Sequence, residues 1–314
     1  MSTLSKTPRG FIGCDVAKTS IVVFDSRDGR TLTIPNRPRD LSAYAERLDP
    51  QCLVVCEATG GHEAALLAAL TAAGIPAHRA DARKVKSFIR SFGTLGKTDA
   101  IDAKALARYG QERHTQLPLW QSTDPHRDQL QALVLTRRDL VAERQACTNR
   151  LAAPGAAHVL PYLTKIQRCL TTQIAAIDAA IEALIQAHQP LNAAVRTLRQ
   201  VAGVGPVTAA AMVGLMPELG SLNRRQAAAL AGLAPHPRQS GAADAYRRTQ
   251  GGRPEVKRAL FMAALSAAKH NLNLKVFYNR LLANGKKPLV ALTAVMRKLV
   301  TICNALLRPS PQLI

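Results

Sequence analysis

Aromatic side chains are scarce in this chain: six Phe, five Tyr and one Trp make up 4% of 314 residues. A surface that reads nucleic-acid bases mainly by stacking them on rings needs more than this, so base stacking is excluded as the principal device. Carboxylates are also few, 21 Asp and Glu against 42 Lys and Arg, which leaves a formal net charge of +21. Self-repulsion of that size argues against an enzyme of small metabolites and points to a polyanionic partner, nucleic acid first. The six cysteines (Cys14, Cys52, Cys56, Cys147, Cys169, Cys303) include no CxxC pair, so no zinc site is expected from them. Cys14, Cys52 and Cys56 lie in apolar runs and read as small core residues in a reducing cytoplasm. Uninterrupted apolar stretches are missing as well. The run 201–216 is broken by Gly203, Gly205 and Pro206, and the run 289–307 by Arg297 and Lys298; neither is expected to span a membrane. Residues 1–10 are polar and basic with no apolar segment behind them, so no export signal is expected.

What is present is a chain that can fold. Hydrophobic residues make up 47% and charged residues 20%, enough apolar side chains to build cores, and the length suggests two or so domains. The charge is unevenly placed. Residues 183–314 hold 18 Lys and Arg against three acids, a net of +15, whereas residues 1–182 hold 24 against 18, a net of +6. Carboxylates gather in the front of the chain and the polyanion-binding excess in the back.

The front alternates strands and helices. Runs 11–16, 20–25 and 31–35 are rich in β-formers and separated by turn residues, and 52–57 (CLVVCE) is a short apolar run of the buried-strand kind. Residues 63–73 form an Ala/Leu helix closed by Gly74, 75–79 a further strand, and 82–91 and 99–113 two more helices. The order βββαβαβα implies a mixed sheet with helices on its faces. In the middle, Leu130, Leu133, Val134 and Leu140 give one apolar stripe and Ile174, Ile177, Ile181, Leu184 and Ile185 another. Pro154, Gly155 and Pro161 interrupt them, which predicts two antiparallel helices, either a helical spacer or a dimerising coiled coil. The back is helical in pattern, with 235–252 read as a Pro/Gly/Arg-rich loop. The expected organisation is an α/β domain over 1–115, a helical or coiled-coil connector over 116–194 and an all-α domain over 195–314.

Four carboxylates stand out. Asp15 ends the first strand and Glu57 the fourth, and functional groups gather at strand carboxyl ends in open α/β sheets. Asp99 and Asp102 are three apart on one helix and share a face. Singly each reads as a solvated charge or a helix-start acid. As a set they are the oxygen donors that Mg²⁺ or Mn²⁺ prefers, suited to phosphodiester displacement. A second signal is VAGVGP (201–206), where Gly203 and Gly205 in a tight turn before a helix expose backbone N–H groups to a phosphate. It fits both a helix–hairpin–helix DNA-binding element and an ordinary helical corner. The third is Ser240 beside Gly241, with Arg238, Arg247, Arg248 and Arg253 near in sequence. A serine needs its proton removed to act as a nucleophile, and guanidinium groups stabilise charge on a phosphoryl group under attack. The plainer reading is a loop whose serine caps a turn.

The set IGCDVAK (12–18), CEATGGHE (56–63), GKTDAIDA (96–103), GVGPVTA (203–209) and RQSG followed by RRTQGGRPEVKRAL (238–260) closely resembles the DEDD transposases of the "one-hundred-and-ten" group of insertion sequences, RNA-bridged DNA recombinases. The resemblance runs through nearly the whole chain in order. It implies an RNase H-like fold of the RuvC type over the front, with Asp15, Glu57, Asp99 and Asp102 as its Mg²⁺-binding quartet. It implies Ser240 as a nucleophile that forms a covalent phosphoserine link to DNA, completed by the acidic site of another subunit. A structured bridge RNA would pair with both donor and target DNA, and the protein would assemble as dimers that pair into a tetramer. The chain departs from the family's pattern where Ala242 and Ala243, rather than a basic residue, follow the Ser–Gly pair. Two other classes fit the residues: a metal-only nuclease of the Holliday-junction-resolvase type, and a non-catalytic DNA- or RNA-binding protein.

Overall fold

The computed structural model describes residues 7–93, 98–122, 124–240 and 243–308, with 237–240 and 243–247 described by their backbone alone. The chain divides into two compact units, 1–122 and 123–314.

The first unit is built on a five-stranded sheet. Its elements are β1 (Gly10–Val16), β2 (Ser20–Asp25), β3 (Thr31–Pro35), α1 (Pro38–Ala45), β4 (Cys52–Glu57), α2 (Ala64–Ala72), β5 (Ala77–Ala80), α3 (Ala82–Arg90) and α4 (Asp99–Arg113). The strand order is β3-β2-β1-β4-β5. β1, β2 and β3 pair antiparallel, as short turns between them require, whereas β1–β4 and β4–β5 pair parallel across helical connections. The expected βββαβαβα order and mixed sheet are observed. Side chains alternate between the two faces, and each face has its own core. Ile12, Cys14, Val54 and Cys56 pack with Leu41, Leu66 and Leu70 on one side. Phe11, Leu53 and Val55 pack with Val85, Leu106, Ala107 and Tyr109 on the other.

The second unit is largely helical: α5 (Pro125–Leu151), α6 (Leu160–Ala187), α7 (Gln189–Arg199), α8 (Pro206–Leu215), α9 (Arg224–Leu230), α10 (Pro254–His270), α11 (Leu272–Ala283) and α12 (Pro288–Leu306). α5 and α6 form the expected antiparallel pair, cross-linked by the Arg137–Asp178 ion pair near one end and by Gln167 donating to Thr148 Oγ1 (2.9 Å) nearer the other. Leu130, Val134 and Ile181 belong to the same core as Leu198, Met212, Leu260 and Leu299, so the base of the helical pair is continuous with the helices that follow it. α6 and α12 are long and apolar enough to cross a membrane by length and composition. In α12 the apolar side chains Leu292, Val295, Met296 and Leu299 are buried in the unit's core.

The expectation of an all-α C-terminal region is corrected. Residues read as a loop form an antiparallel hairpin, β6 (Pro235–Ser240) and β7 (Ala243–Thr249). Its first strand reads PHPRQS and its second ADAYRRT, with no apolar alternation, so the strands are held by backbone pairing and carry no hydrophobic signature.

Candidate acidic site and serine hairpin

The packing of α4 across β1 and β4 places the four acids. On β1, Phe11 faces the α4 side, so Gly13 and Asp15, at alternate positions, face it too. On β4 the same holds for Leu53, Val55 and then Glu57. The parallel register pairs Cys14 with Cys56, so one step on, Asp15 and Glu57 stand side by side at the strands' carboxyl ends. Gly13 sets how closely the helix approaches. A Cβ there would lie 1.9 Å from the Ala103 carbonyl oxygen and 2.5 Å from the Ala107 nitrogen. Farther along α4, Gly110 abuts Val55 and Phe11. The helix therefore runs antiparallel to β1 and begins at the end where Asp15 lies, bringing Asp102, next to Ala103, and Asp99, one turn earlier, toward the same end.

Asp15, Glu57 and Asp102 are half-buried and Asp99 is exposed. Thr98 caps the helix by accepting from Ile101 N at 3.3 Å. Gly96 and Lys97 of the GKTDAIDA motif lie outside the described residues. The fold gathers the four acids at one end of one sheet face. No three of their carboxylates, all among the described residues, come within 4.8 Å of one another; among the described residues, Asp124, His126 and His188 form a trio of potential ligands that does so.

Residues that the sequence reading passed over hold the loops at this end. Asn36, just after β3, donates to the carbonyls of Ala17 (2.9 Å) and His62 (3.1 Å), tying the loop after Asp15 to the loop after Glu57. Glu63 is 1% exposed and accepts from Gly61 N (3.0 Å), Thr59 N (3.1 Å) and Arg79 Nε (2.7 Å). Burial alone would raise its pKa, but backbone hydrogen bonds and the Arg79 guanidinium outweigh burial and hold the carboxyl below its ordinary value. Cys14 and Cys56, behind the acids, have their thiols raised by burial, Cys56 to about 12, and are inert core residues. All six cysteines are free.

In the second unit Ser240 is the last residue of β6, paired with Ala243 of β7; Gly241 and Ala242, between them, lie outside the described residues. The serine thus sits where β6 passes into β7, at the end of the hairpin away from the Pro235–Thr249 pair. Arg238 pairs in register with Ala245, and exposed Arg248 with His236. Arg247 also lies on β7. Arg253, expected among the phosphate-holding arginines, is engaged elsewhere. Its guanidinium donates to Glu218 at 2.7 and 2.6 Å and to the Leu215 carbonyl at 2.7 Å, which fastens the segment just past β7, at the start of α10, to the end of α8.

The two glycines of the VAGVGP turn separate in role. Gly203 has φ +104°, and a Cβ on it would lie 2.6 Å from the Ala267 side chain of α10, so close helix packing accounts for it. Gly205 is the N-cap of α8 and meets nothing within 4 Å. The start of α8 opens on a cavity of about 660 Å³ that is also lined by Arg137, Arg196 and Arg199. The last two lie in the final turn of α7. Only the fold brings them to the turn.

A mixed-sheet α/β unit followed by a basic, largely helical unit fits a class: enzymes that act on the phosphodiester backbone of nucleic acid. Residues 12–154 match a DEDD-type family model described as a transposase, and residues 195–279 match the transposase IS116/IS110/IS902 family. The chain belongs to the IS116/IS110/IS902 family of transposases, and it is an enzyme of DNA recombination. The pilin gene-inverting proteins of Moraxella lacunata and Moraxella bovis are each 31% identical to it over 233 residues, which cover 71% of this chain and 70% of theirs. The insertion element IS110 uncharacterized 43.6 kDa protein of Streptomyces coelicolor is 31% identical over 152 residues, 48% of this chain and 36% of that protein. Membership implies an RNase H-like fold for the first unit, binding to DNA and use of a divalent metal.

Proposed function

We propose that this transposase cuts and rejoins DNA through Ser240, working with a Mg²⁺-binding quartet of Asp15, Glu57, Asp99 and Asp102, Mn²⁺ being able to replace Mg²⁺. The observation that carries the reading is the Gly13–Ala103 contact, which directs the acidic start of α4 to the strand ends bearing Asp15 and Glu57. Four carboxylates and no imidazole or thiolate make a hard oxygen donor set, which fits Mg²⁺. When bound, the ion supplies Lewis-acid stabilisation of the charge that develops on the phosphate.

In the first step the Ser240 hydroxyl attacks a DNA phosphorus. The serine Oγ–P bond forms as the hydroxyl gives up its proton, the P–O bond to the leaving deoxyribose oxygen breaks, and that oxygen takes up a proton. In the second, a hydroxyl of the other DNA strand attacks the phosphoserine, the new phosphodiester forms, and Ser240 is released with its proton. The phosphoserine conserves the bond energy between the steps, so no external energy source enters. Arg238, Arg247 and Arg248 on the hairpin stabilise the phosphate, and the turn at Gly205 with Arg196 and Arg199 holds DNA backbone without reading bases. Arg253 is assigned to fastening the segment just past β7 and Gly203 to packing.

Sequence selection falls to a bridge RNA that pairs with donor and target DNA, which accords with 4% aromatic content. In this reading 1–115 is the RuvC-like catalytic domain, 116–194 a coiled-coil connector through which dimers form and pair into a tetramer, and 195–314 the serine domain. It works in the cytoplasm, in keeping with six free cysteines. DNA inversion, for which the Moraxella relatives are named, is the same cut-and-rejoin chemistry applied within one molecule.

The test is trapping. Incubated with Mg²⁺, bridge RNA and donor DNA, the wild type should yield a protein–DNA adduct that survives denaturation, and Ser240→Ala none. Cleavage by Ser240→Ala at the wild-type rate would transfer the chemistry to a water nucleophile and the resolvase-type reading.

A further inference from the structure

We propose that Asp124, His126 and His188 form a binding site for a borderline transition-metal cation of the Zn²⁺ type, independent of the acidic quartet. The architecture of the second unit creates it. α5 runs out for 27 residues and α6 returns for 28, so helices of almost equal length bring the start of one beside the end of the other. Asp124 is the N-cap of α5, His126 lies in its first turn, and His188 is the residue between α6 and α7.

The local geometry suits a cation. One carboxylate oxygen of Asp124 accepts from His126 N at 3.0 Å, which caps the helix and fixes the side chain. Its other oxygen faces His188 Nε2 at 3.6 Å, too long for a hydrogen bond. The two imidazole rings lie 4.2 Å apart, centre to centre, tilted by 57°. One ligand atom from each of the three residues falls within 4.8 Å of the other two. His188 Nδ1 is buried and has no hydrogen-bond partner, although buried ring nitrogens are nearly always partnered. Capping accounts for the aspartate, but not for two imidazoles turned toward it with one nitrogen unsatisfied.

The donor set determines the class of ion. Two imidazoles and one carboxylate suit Zn²⁺, Co²⁺ or Ni²⁺ and are poor for Mg²⁺, and three protein ligands leave a position for water or another ligand. The cysteines pointed away from zinc, and none takes part here. A bound ion would clip the first turn of α5 to the α6–α7 corner, closing a loop that spans the whole helical pair, and clips across long loops restrict the unfolded chain most.

The test uses the full-length protein stripped of metal and titrated with Co²⁺ in excess Mg²⁺. One equivalent should produce a visible absorption band of four-coordinate cobalt, Zn²⁺ should displace it, and Tm should rise on loading. His126→Ala, at an exposed position, should keep the circular dichroism of the wild type and lose the band, as should His188→Asn. Asp15→Asn should retain it. The proposal is overturned if the wild type gives no such band, if both histidine variants bind Co²⁺ as the wild type does, or if Asp15→Asn abolishes the band.

Discussion

The two halves of the candidate machinery are held in opposite ways. The acids stand on elements pressed together without a spare atom: a helix backbone lies against Gly13, and Glu63 and Asn36 knit the loops beyond the strands. The serine stands at the end of a two-stranded polar hairpin, and the segment just past it is fastened by Arg253 to Glu218 and the Leu215 carbonyl. A site of clustered carboxylates needs a rigid scaffold, because like charges must be held together against their repulsion. The proposed nucleophile is carried instead on two strands held by backbone pairing.

The largest effect should come from breaking the rigid half. Gly13→Val inserts a side chain where the Ala103 carbonyl lies, and the helix must move or the strand must bend. We expect a loss of about 3 kcal/mol or more, measured by denaturant unfolding, together with loss of strand transfer. The second unit's integrity should be unaffected, as read by a separate unfolding transition and by binding of non-specific DNA. Wild-type stability in Gly13→Val would mean that α4 does not approach β1 as described, and the convergence of the acids would fail with it.

That contrast also explains what is legible in the sequence. β2 and β4 have the bounds expected of them because alternating or continuous apolar residues fill them, and α4 because buried residues recur along it at helical spacing; β3, largely exposed, is legible from its β-formers and flanking turn residues rather than from burial. The charge asymmetry is equally readable. The hairpin is not, since HPRQS and ADAYRR carry no burial pattern and its pairing is a backbone matter. Nor are the roles of Asn36 and Glu63, because a polar residue's partners lie at sequence distances that no local pattern encodes: Asn36 reaches Ala17 and His62, and Glu63 reaches Arg79. Arg196 and Arg199 show the same limit from the other side. Their charge is visible in sequence, but their place beside the α8 turn is a product of the fold.

A smaller effect, with a defined pH dependence, should come from Glu63. Its carboxyl is depressed in the folded state, so it binds protons more weakly there than in the unfolded chain. The stability it contributes is complete above the unfolded pKa and is lost as the pH falls through the folded value. The first unit should therefore become less stable on acidification from about pH 5 downward. Glu63→Gln should cost about 2 kcal/mol at neutral pH, the scale of hydrogen bonds to a charged group, and should flatten the acid limb. Equal pH profiles for variant and wild type would remove Glu63 from its place as the knot of the loop after Glu57.

The smallest effects separate two arginines that look equivalent in sequence. Arg253 is held on three sides by protein oxygens, whereas Arg248 is exposed on the hairpin strand. Arg253→Ala should lower stability by about 1–2 kcal/mol, a figure kept small because both partners retain some exposure to water. It should leave the salt dependence of DNA affinity unchanged. Arg248→Ala should leave stability within about 0.5 kcal/mol and reduce the slope of log affinity against log salt by about 1, the signature of one phosphate no longer neutralised by the protein. Measuring both quantities on both variants prevents a general weakening of the hairpin from passing as a weakened grip on DNA, because unfolding lowers affinity without changing the number of ions displaced. If Arg253→Ala changed the slope and spared stability, the two assignments would exchange, and the segment just past β7 would belong to the DNA-binding surface.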